Sequence, residues 1–281
     1  MESKDLSIVI VTFKSEDIIS KCLKSIPSDI KVIIIENSKN EKFKKDLENK
    51  YKNVDCILTG NNRGYAAANN IGLNIVKTKY ALVLNPDCIL EHEAIRNFFI
   101  TANKVQDFHL IGPAQDQMIN IDFKNNDFIE VENLKGFAIF FNMSKFSNKF
   151  FDENYFLYFE EFDLCKSTIN KGGSIYSSSD LRVHHLGFKG SLGANNKLKN
   201  DANKLRDWHW MWSYFYFYKK NYNYIYALWK VSGKFFKSLL KSIYYTLLFN
   251  KLNRDKYLYR FLGLLFSIIG IKSNYRGRQF Y

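Results

Sequence analysis

Two short runs of apolar, largely β-branched residues open the chain, LSIVIVTF at 6–13 and KVIII at 31–35, and the segment between them, 15–26, spaces its apolar residues as a helix does. Runs that are apolar at every position form strands buried on both faces, which is the habit of parallel sheets. Residues 55–58 and 80–84 read as further strands and 65–76 as a helix, so strands and helices alternate across the first hundred residues. That order predicts an α/β chain with a mainly parallel central sheet. Residues 112–132 read as a polar loop and GFAIFFN at 136–142 as a strand. A helix is expected over 159–170, opened by acids and closed by Lys171-Gly172-Gly173, as the macrodipole and a glycine C-cap favour. A short strand at 174–177 then leads to Arg182-Val183-His184-His185.

From about residue 207 the texture changes to WHWMWSYFYFYKKNYNYIYALW, followed by two apolar helical stretches. In 228–248 the lysines Lys230, Lys234, Lys237 and Lys241 recur at steps of four, three and four, which gathers them on one helical face, while Leu228, Val231, Phe235, Leu239 and Ile243 lie mainly on others. The stretch 257–271 is more apolar but shorter than the roughly 20 residues a membrane-spanning helix needs. Both are expected to lie in a membrane interface, with basic and aromatic residues at headgroup level. For the second, a helical subdomain packed on the rest of the protein is an equal alternative.

Charge follows the same division. The net charge is +13, yet residues 201–281 hold 15 Lys+Arg against 3 Asp+Glu, and the rest of the chain is almost balanced. The basicity belongs to the tail, and nucleic acid is not the expected partner. With 281 residues and 46% hydrophobic content the chain can bury a sizeable core. Residues 1–205 are expected to form the main domain and 206–281 the helical, membrane-interfacial region. Cys22, Cys56, Cys88 and Cys165 are far apart and show neither a disulfide framework nor zinc-site spacing, which suits a reducing cytosol. The apolar run after MESK reads as a strand and not as the core of a signal peptide.

Candidate chemistry gathers at a few places. The run ALVL at 81–84 stops at Asn85-Pro86-Asp87, soon after GNNRGYAAANN at 60–70. A buried strand that ends in a carboxylate delivers it to the carboxyl edge of the sheet, where ligands of open α/β sheets bind. Such an Asp can hold a hard divalent cation, which then neutralises a nucleotide diphosphate. By itself the tripeptide also reads as a turn that ends the strand. Glu160, Glu161 and Asp163 crowd like charges, which raises at least one pKa as suits a general base, or they serve only as acids at a helix N-terminus.

The ordered set SIVIVTFKSED at 7–17, IIIENS at 33–38, NNRGYAAANNIG at 61–72, LVLNPDCIL at 82–90, KGFAIFF at 135–141, YFLYFEEFDLC at 155–165 and RVHH at 182–185 resembles the family 2 glycosyltransferases over about 7–191. These are inverting enzymes of GT-A fold, and the likeness is greatest to the bacterial rhamnosyltransferase-like members that build O-antigen and related glycans. The resemblance implies that Thr12 and Phe13 meet the donor base and ribose, and that Glu36, where the family usually has Asp, accepts from the base. It implies donor contacts from Asn62, Arg63, Gly64, Asn69 and Asn85. Asp87 and His185 would ligate Mn²⁺ or Mg²⁺. Glu161, again in place of Asp, would be the general base.

The function expected from this resemblance is metal-dependent, inverting transfer of a sugar, L-rhamnose from dTDP-rhamnose, onto an acceptor in bacterial surface polysaccharide synthesis. The donor is a dTDP- or UDP-sugar and the acceptor a lipid-linked or growing glycan. The tail would hold the protein to a membrane surface, the cytoplasmic face of the inner membrane. A processive synthase would need several spans and usually Gln-x-x-Arg-Trp, which Lys204-Leu205-Arg206-Asp207-Trp208 only echoes. A sugar nucleotidyltransferase would carry a glycine-rich loop where Phe13-Lys14-Ser15-Glu16-Asp17 stands. The non-enzymatic alternative is a basic, aromatic module that binds nucleic acid or anionic membrane.

Overall fold

The computed structural model describes residues 3–114, 127–187 and 196–276. The chain divides into two compact units, one of Met1–Arg63, Ala67–Asp152 and Leu164–Ser191, the other of Gly64–Ala66, Glu153–Asp163 and Leu192–Tyr281. The division expected at residue 205 falls inside a helix, 196–221, of the second unit.

The first unit is built on a sheet in the order β3-β2-β1-β4-β8-β6-β9-β7, from β1 (Leu6–Thr12), β2 (Lys31–Glu36), β3 (Val54–Leu58), β4 (Tyr80–Leu84), β6 (Leu110–Pro113), β7 (Phe128–Glu130), β8 (Ala138–Asn142) and β9 (Ile175–Ser178). The pairs among β3, β2, β1 and β4 are parallel. β8 enters antiparallel to β4, β6 is antiparallel to β8, and β9 is parallel to β6. The edge strand β7 falls within the expected loop 112–132, and 115–126 of that loop lie outside the described residues. A separate two-stranded ribbon pairs β5 (Cys88–Leu90) with β10 (Val183–His185).

Every residue of β1, β4 and β8 is buried, as their unbroken apolar runs require. On one face Ile8, Ile10, Val32, Ile34, Leu82 and Phe140 share a core with helices α1 (Ile19–Lys24), α2 (Glu41–Lys50) and α4 (Ala94–Val105). Tyr80, Phe98 and Phe108 gather around the Phe140 ring there, at centroid distances of 5.0, 5.2 and 6.0 Å. On the other face α3 (Tyr65–Ile75) comes so close to β1 that a Cβ at Gly72 would lie 2.4 Å from Val9 Cγ1. α5 (Glu160–Asn170) completes the α/β part, its first turn in the second unit.

In the second unit α6 (Asn196–Asn221), α7 (Tyr224–Leu247) and α8 (Lys251–Ile268) form a helical group. Met211, Phe215, Ala227, Val231 and Leu264 make its small core. His209 is fully buried, with Nδ1 2.8 Å from Ser273 Oγ and Nε2 2.6 Å from the Tyr275 carbonyl, and burial pushes it down to about 3, so its ring is neutral. No helix among the described residues is long and apolar enough to cross a membrane.

The lysine row of α7 is not turned wholly to solvent. Lys230, Lys234 and Lys241 lie over the rings of Tyr218, Tyr214 and Tyr257 at 5.5, 5.2 and 4.9 Å. α8 crosses α6 at Gly263, where an added Cβ would meet the Trp208 carbonyl oxygen at 2.2 Å. Backbone cannot yield as a side-chain tip does, so Gly263→Ala is expected to cost about 1–3 kcal/mol by overpacking. A thermal denaturation curve of the variant that superimposes on the wild type would refute this contact.

Candidate active site

The first cluster sits at the carboxyl ends of β1 and β2. Thr12 and Glu36 are register partners, 0% and 1% exposed, and the Thr12 hydroxyl donates to Glu36 Oε2 at 2.6 Å. Ser38 donates to the other carboxylate oxygen. Burial raises the Glu36 pKa, Ser38 and Thr12 oppose it, and Glu16 adds a smaller upward push. Phe13 is half-buried in the loop that follows, where its N–H and the Ser15 hydroxyl meet at 3.3 Å.

Asn37 organises the neighbouring loop. Its Oδ1 accepts from the Arg63 N–H at 2.9 Å and from the Thr59 hydroxyl at 3.1 Å, and its amide donates to Asn62 Oδ1 at 3.1 Å. Asn62 is thereby held half-buried, while the Arg63 side chain is exposed. Asn37 was visible in the run IIIENS but carried no predicted role. Its only signal was a polar amide just beyond a buried strand. Asn69 is fully buried in α3. Gly64 has φ +89°, and a Cβ there would lie 2.6 Å from the Phe156 carbonyl oxygen, so this glycine has a packing requirement of its own.

The second cluster lies beyond β4. The turn at Asn85-Pro86-Asp87 closes with the Cys88 N–H on the Asn85 carbonyl at 3.1 Å and returns the chain into β5. Pairing of β5 with β10 sets His185 opposite Cys88, and the Leu186 N–H donates to the Asp87 carbonyl at 3.0 Å. Asp87 Oδ2 comes 3.3 Å from His185 Nε2 without forming a hydrogen bond, and that oxygen is buried with no donor among the described residues. His185 stacks on Phe137 at 5.0 Å, which fixes its ring plane. His184 faces away and meets Glu91 at 2.7 Å.

An undonated buried carboxylate oxygen is costly unless a cation or proton meets it. The ligand atoms of Asp87, Cys88 and His185 lie within 4.8 Å of one another, so these residues fit a metal ion. Cys88 is the weakest of the three as a ligand. Burial, with a smaller push from Asp87, drives its thiol pKa far up, and the thiol donates to the Phe137 carbonyl at 3.5 Å. One carboxylate and one imidazole therefore form the core of the set, a pair compatible with Mn²⁺ or Mg²⁺.

The third cluster opens α5 and belongs to the second unit. Tyr158 and Phe159 both have φ of +70°, a conformation side chains other than glycine avoid. The helical group holds this turn in place. Phe159 packs on Trp210, Tyr214 and Phe217 of α6 at 5.3, 5.6 and 5.6 Å, and Tyr158 lies 5.1 Å from Trp210. Glu160 is buried, its Oε2 has no hydrogen-bond partner among the described residues, and burial first and Glu161 second raise its pKa well above the usual range.

Glu161 is half-exposed beside it. Asp163 is not part of the crowding expected from sequence. It accepts from Lys220 at 2.6 Å, Asn221 at 2.9 Å and the Tyr155 hydroxyl at 3.3 Å, and so ties α5 to α6.

Residues 7–161 match the family described as Glycosyl transferase family 2, more than half of the chain, and the protein belongs to that family. Its relatives include the low-salt glycan biosynthesis hexosyltransferase Agl10 of Haloferax volcanii, 24% identical over 57% of this chain and 60% of the relative. Rhamnosyltransferase WbbL of Escherichia coli K12 is 24% identical over 72% of this chain and 88% of its own. The teichoic acid poly(glycerol phosphate) polymerase of Staphylococcus epidermidis matches over only 20% of its length. The fold is that of mannosyltransferase PcManGT from Pyrobaculum calidifontis, solved with GDP-Man and Mn²⁺, at a TM-score of 0.56 and 10% identity over 94% of this chain and 87% of that one. GalNAc-T7, solved with UDP, GalNAc and Mn²⁺, gives 0.54 at 14% identity over 76% and 50%.

Two outcomes follow from the geometry. Asn37→Ala removes the hydrogen bonds that hold Asn62 and the Arg63 backbone; if these residues meet the donor as the resemblance implies, the donor KM rises while kcat changes little, and steady-state kinetics that find a fall in kcat alone would count against it. The raised Glu160 pKa means that the folded state keeps a proton the unfolded chain releases above about 4.5. Its contribution to stability is full below that pH and is lost as pH rises towards the folded value. Glu160→Gln should flatten this decline in denaturant titrations run across pH, and an unchanged slope would disprove the assignment.

Proposed function

We propose that the chain is an inverting, metal-dependent glycosyltransferase that moves a sugar from a nucleotide donor to a lipid-linked or growing glycan acceptor. The observation that carries this reading is Asp87 Oδ2, buried, undonated and 3.3 Å from His185 Nε2 at the carboxyl edge of a parallel sheet. A divalent cation bound by Asp87 and His185 would offset the charge of a departing nucleotide diphosphate. Thr12, Phe13, Glu36, Asn62, Arg63, Gly64, Asn69 and Asn85 form the donor side, with Asn37 as the residue that positions Asn62 and Arg63.

Glu161 removes the proton from the acceptor hydroxyl, whose oxygen attacks the anomeric carbon as the bond to the diphosphate oxygen breaks on the opposite face. One displacement inverts the configuration. Burial raises the Glu160 pKa well above the usual carboxylate range, which favours its neutral form beside the base. L-Rhamnose from dTDP-rhamnose is the donor supported best, through the likeness to the E. coli rhamnosyltransferase. Surface polysaccharide synthesis at the cytoplasmic face of the inner membrane is the corresponding setting, with the basic tail as the membrane contact. The loops 112–132 and 187–196, which would tune donor and acceptor, lie largely outside the described residues. Membership of an enzyme family speaks against a purely non-enzymatic binding module.

Purified protein offered a panel of nucleotide sugars with Mn²⁺ is expected to turn over or hydrolyse one of them, with dTDP-rhamnose first. Glu161→Gln should lower kcat by about 10²–10⁴, and Asp87→Asn should abolish the response to metal. Turnover that ignores both substitutions, or none with any donor, would sink the assignment.

A further inference from the structure

The outer face of α7 is apolar and uncovered. Ile225, Trp229, Phe236, Leu240, Ile243 and Leu247 recur at steps of four, seven, four, three and four, which lines them up along about 33 Å of helix. All are exposed, from 50% at Ile243 to 79% at Ile225. The opposite face is small and buried, with Ala227, Val231, Ser238 and Ser242 turned inward. Of the apolar positions the sequence pattern points to, Leu228, Val231 and Phe235 pack inward, whereas Ile243 joins the outer stripe. It continues past the helix end in Phe249, 94% exposed, and Leu252, 65% exposed. Scattered apolar residues are normal on a surface, but a stripe of this length marks a contact.

Charge identifies what covers it. Lys230, Lys234, Lys237 and Lys241 run along one edge of the stripe, α7 contains no acid, and none of the four makes an ion pair among the described residues. The three acids of 201–281 are engaged elsewhere: Asp201 and Asp255 by Lys204 at 3.8 and 3.2 Å, and Asp207 by Arg260 at 2.7 Å. A second copy paired stripe to stripe would bring two lysine rows together with no carboxylate between them. An anionic bilayer meets both features, since the stripe enters the acyl boundary while the lysines stay among phosphates. No helix among the described residues is long and apolar enough to cross, so on such a surface α7 would lie flat.

We propose that α7 docks the protein on an anionic lipid surface through its outer stripe and its lysine edge; this deepens the membrane contact of the function proposed above and rests on it for its purpose. The test is co-sedimentation of the full chain with vesicles of phosphatidylcholine alone or mixed with phosphatidylglycerol, with donor hydrolysis and the solution mass measured in parallel. Wild type should bind the anionic vesicles and release with salt. Trp229→Ser combined with Leu240→Ser should cut binding about tenfold or more, with donor hydrolysis and thermal midpoint unchanged. Replacing the four lysines by Gln should remove the preference for anionic lipid.

Equal binding by the serine variant overturns the proposal, as does wild-type indifference to lipid charge. So does a wild-type dimer that the serine variant converts to monomer, which would make the face a self-association surface. If vesicle binding behaves as expected while no nucleotide sugar turns over, the docking face stands and the catalytic reading falls.

Discussion

A parallel sheet covered on both faces can hold a carboxylate only at an edge, and the chemistry of this protein depends on that constraint. The strands β1, β2 and β4 are buried almost throughout, so a charge within them would be stranded in apolar surroundings. Glu36 and Asp87 come where two of them run out, at the carboxyl edge. Glu36 is met by hydroxyl donors from Thr12 and Ser38, whereas Asp87 keeps one oxygen without a donor among the described residues. The sheet thus separates a satisfied acid, suited to shape a pocket, from an unsatisfied one, suited to hold a cation.

The second unit answers a different demand. Two consecutive residues with positive φ are unfavourable, and Tyr158 and Phe159 keep that conformation because aromatic side chains of α6 enclose them. Asp163, one turn into α5, is bound by Lys220 and Asn221 at the end of α6 and by Tyr155, and so anchors the start of α5. The dense aromatic content of the tail therefore has a local purpose, the support of the turn that presents Glu160 and Glu161. The same helices leave α7 with two apolar faces, one packed and one open.

Much of the α/β framework was legible because its signal is local. The largely apolar, β-branched runs at 6–13, 31–35 and 80–84 read directly as buried strands. α2 was not legible, since EKFKKDLENK offers only Phe43 and Leu47 to the core amid charged residues. β6 was obscured by Gly112-Pro113, which reads as a break yet pairs with β9. In the tail, periodicity placed the lysines on one face of α7 but left open which apolar residues lie outside, because only α6 and α8 decide which side of α7 is covered.

The sequence by itself determined the alternation of strands and helices, the family to which the chain belongs, and the concentration of positive charge after residue 200. These follow from composition and from motifs read in order. Tertiary structure alone decided that Asp163 is a structural anchor and that Asn37 holds the Arg63 loop, and strand register is what brings His185, already singled out by the resemblance, to within 3.3 Å of Asp87. Each depends on strand register or helix packing between residues far apart in the chain, and register turns neighbouring side chains to opposite faces. A linear pattern carries no record of which partner will be across the ribbon.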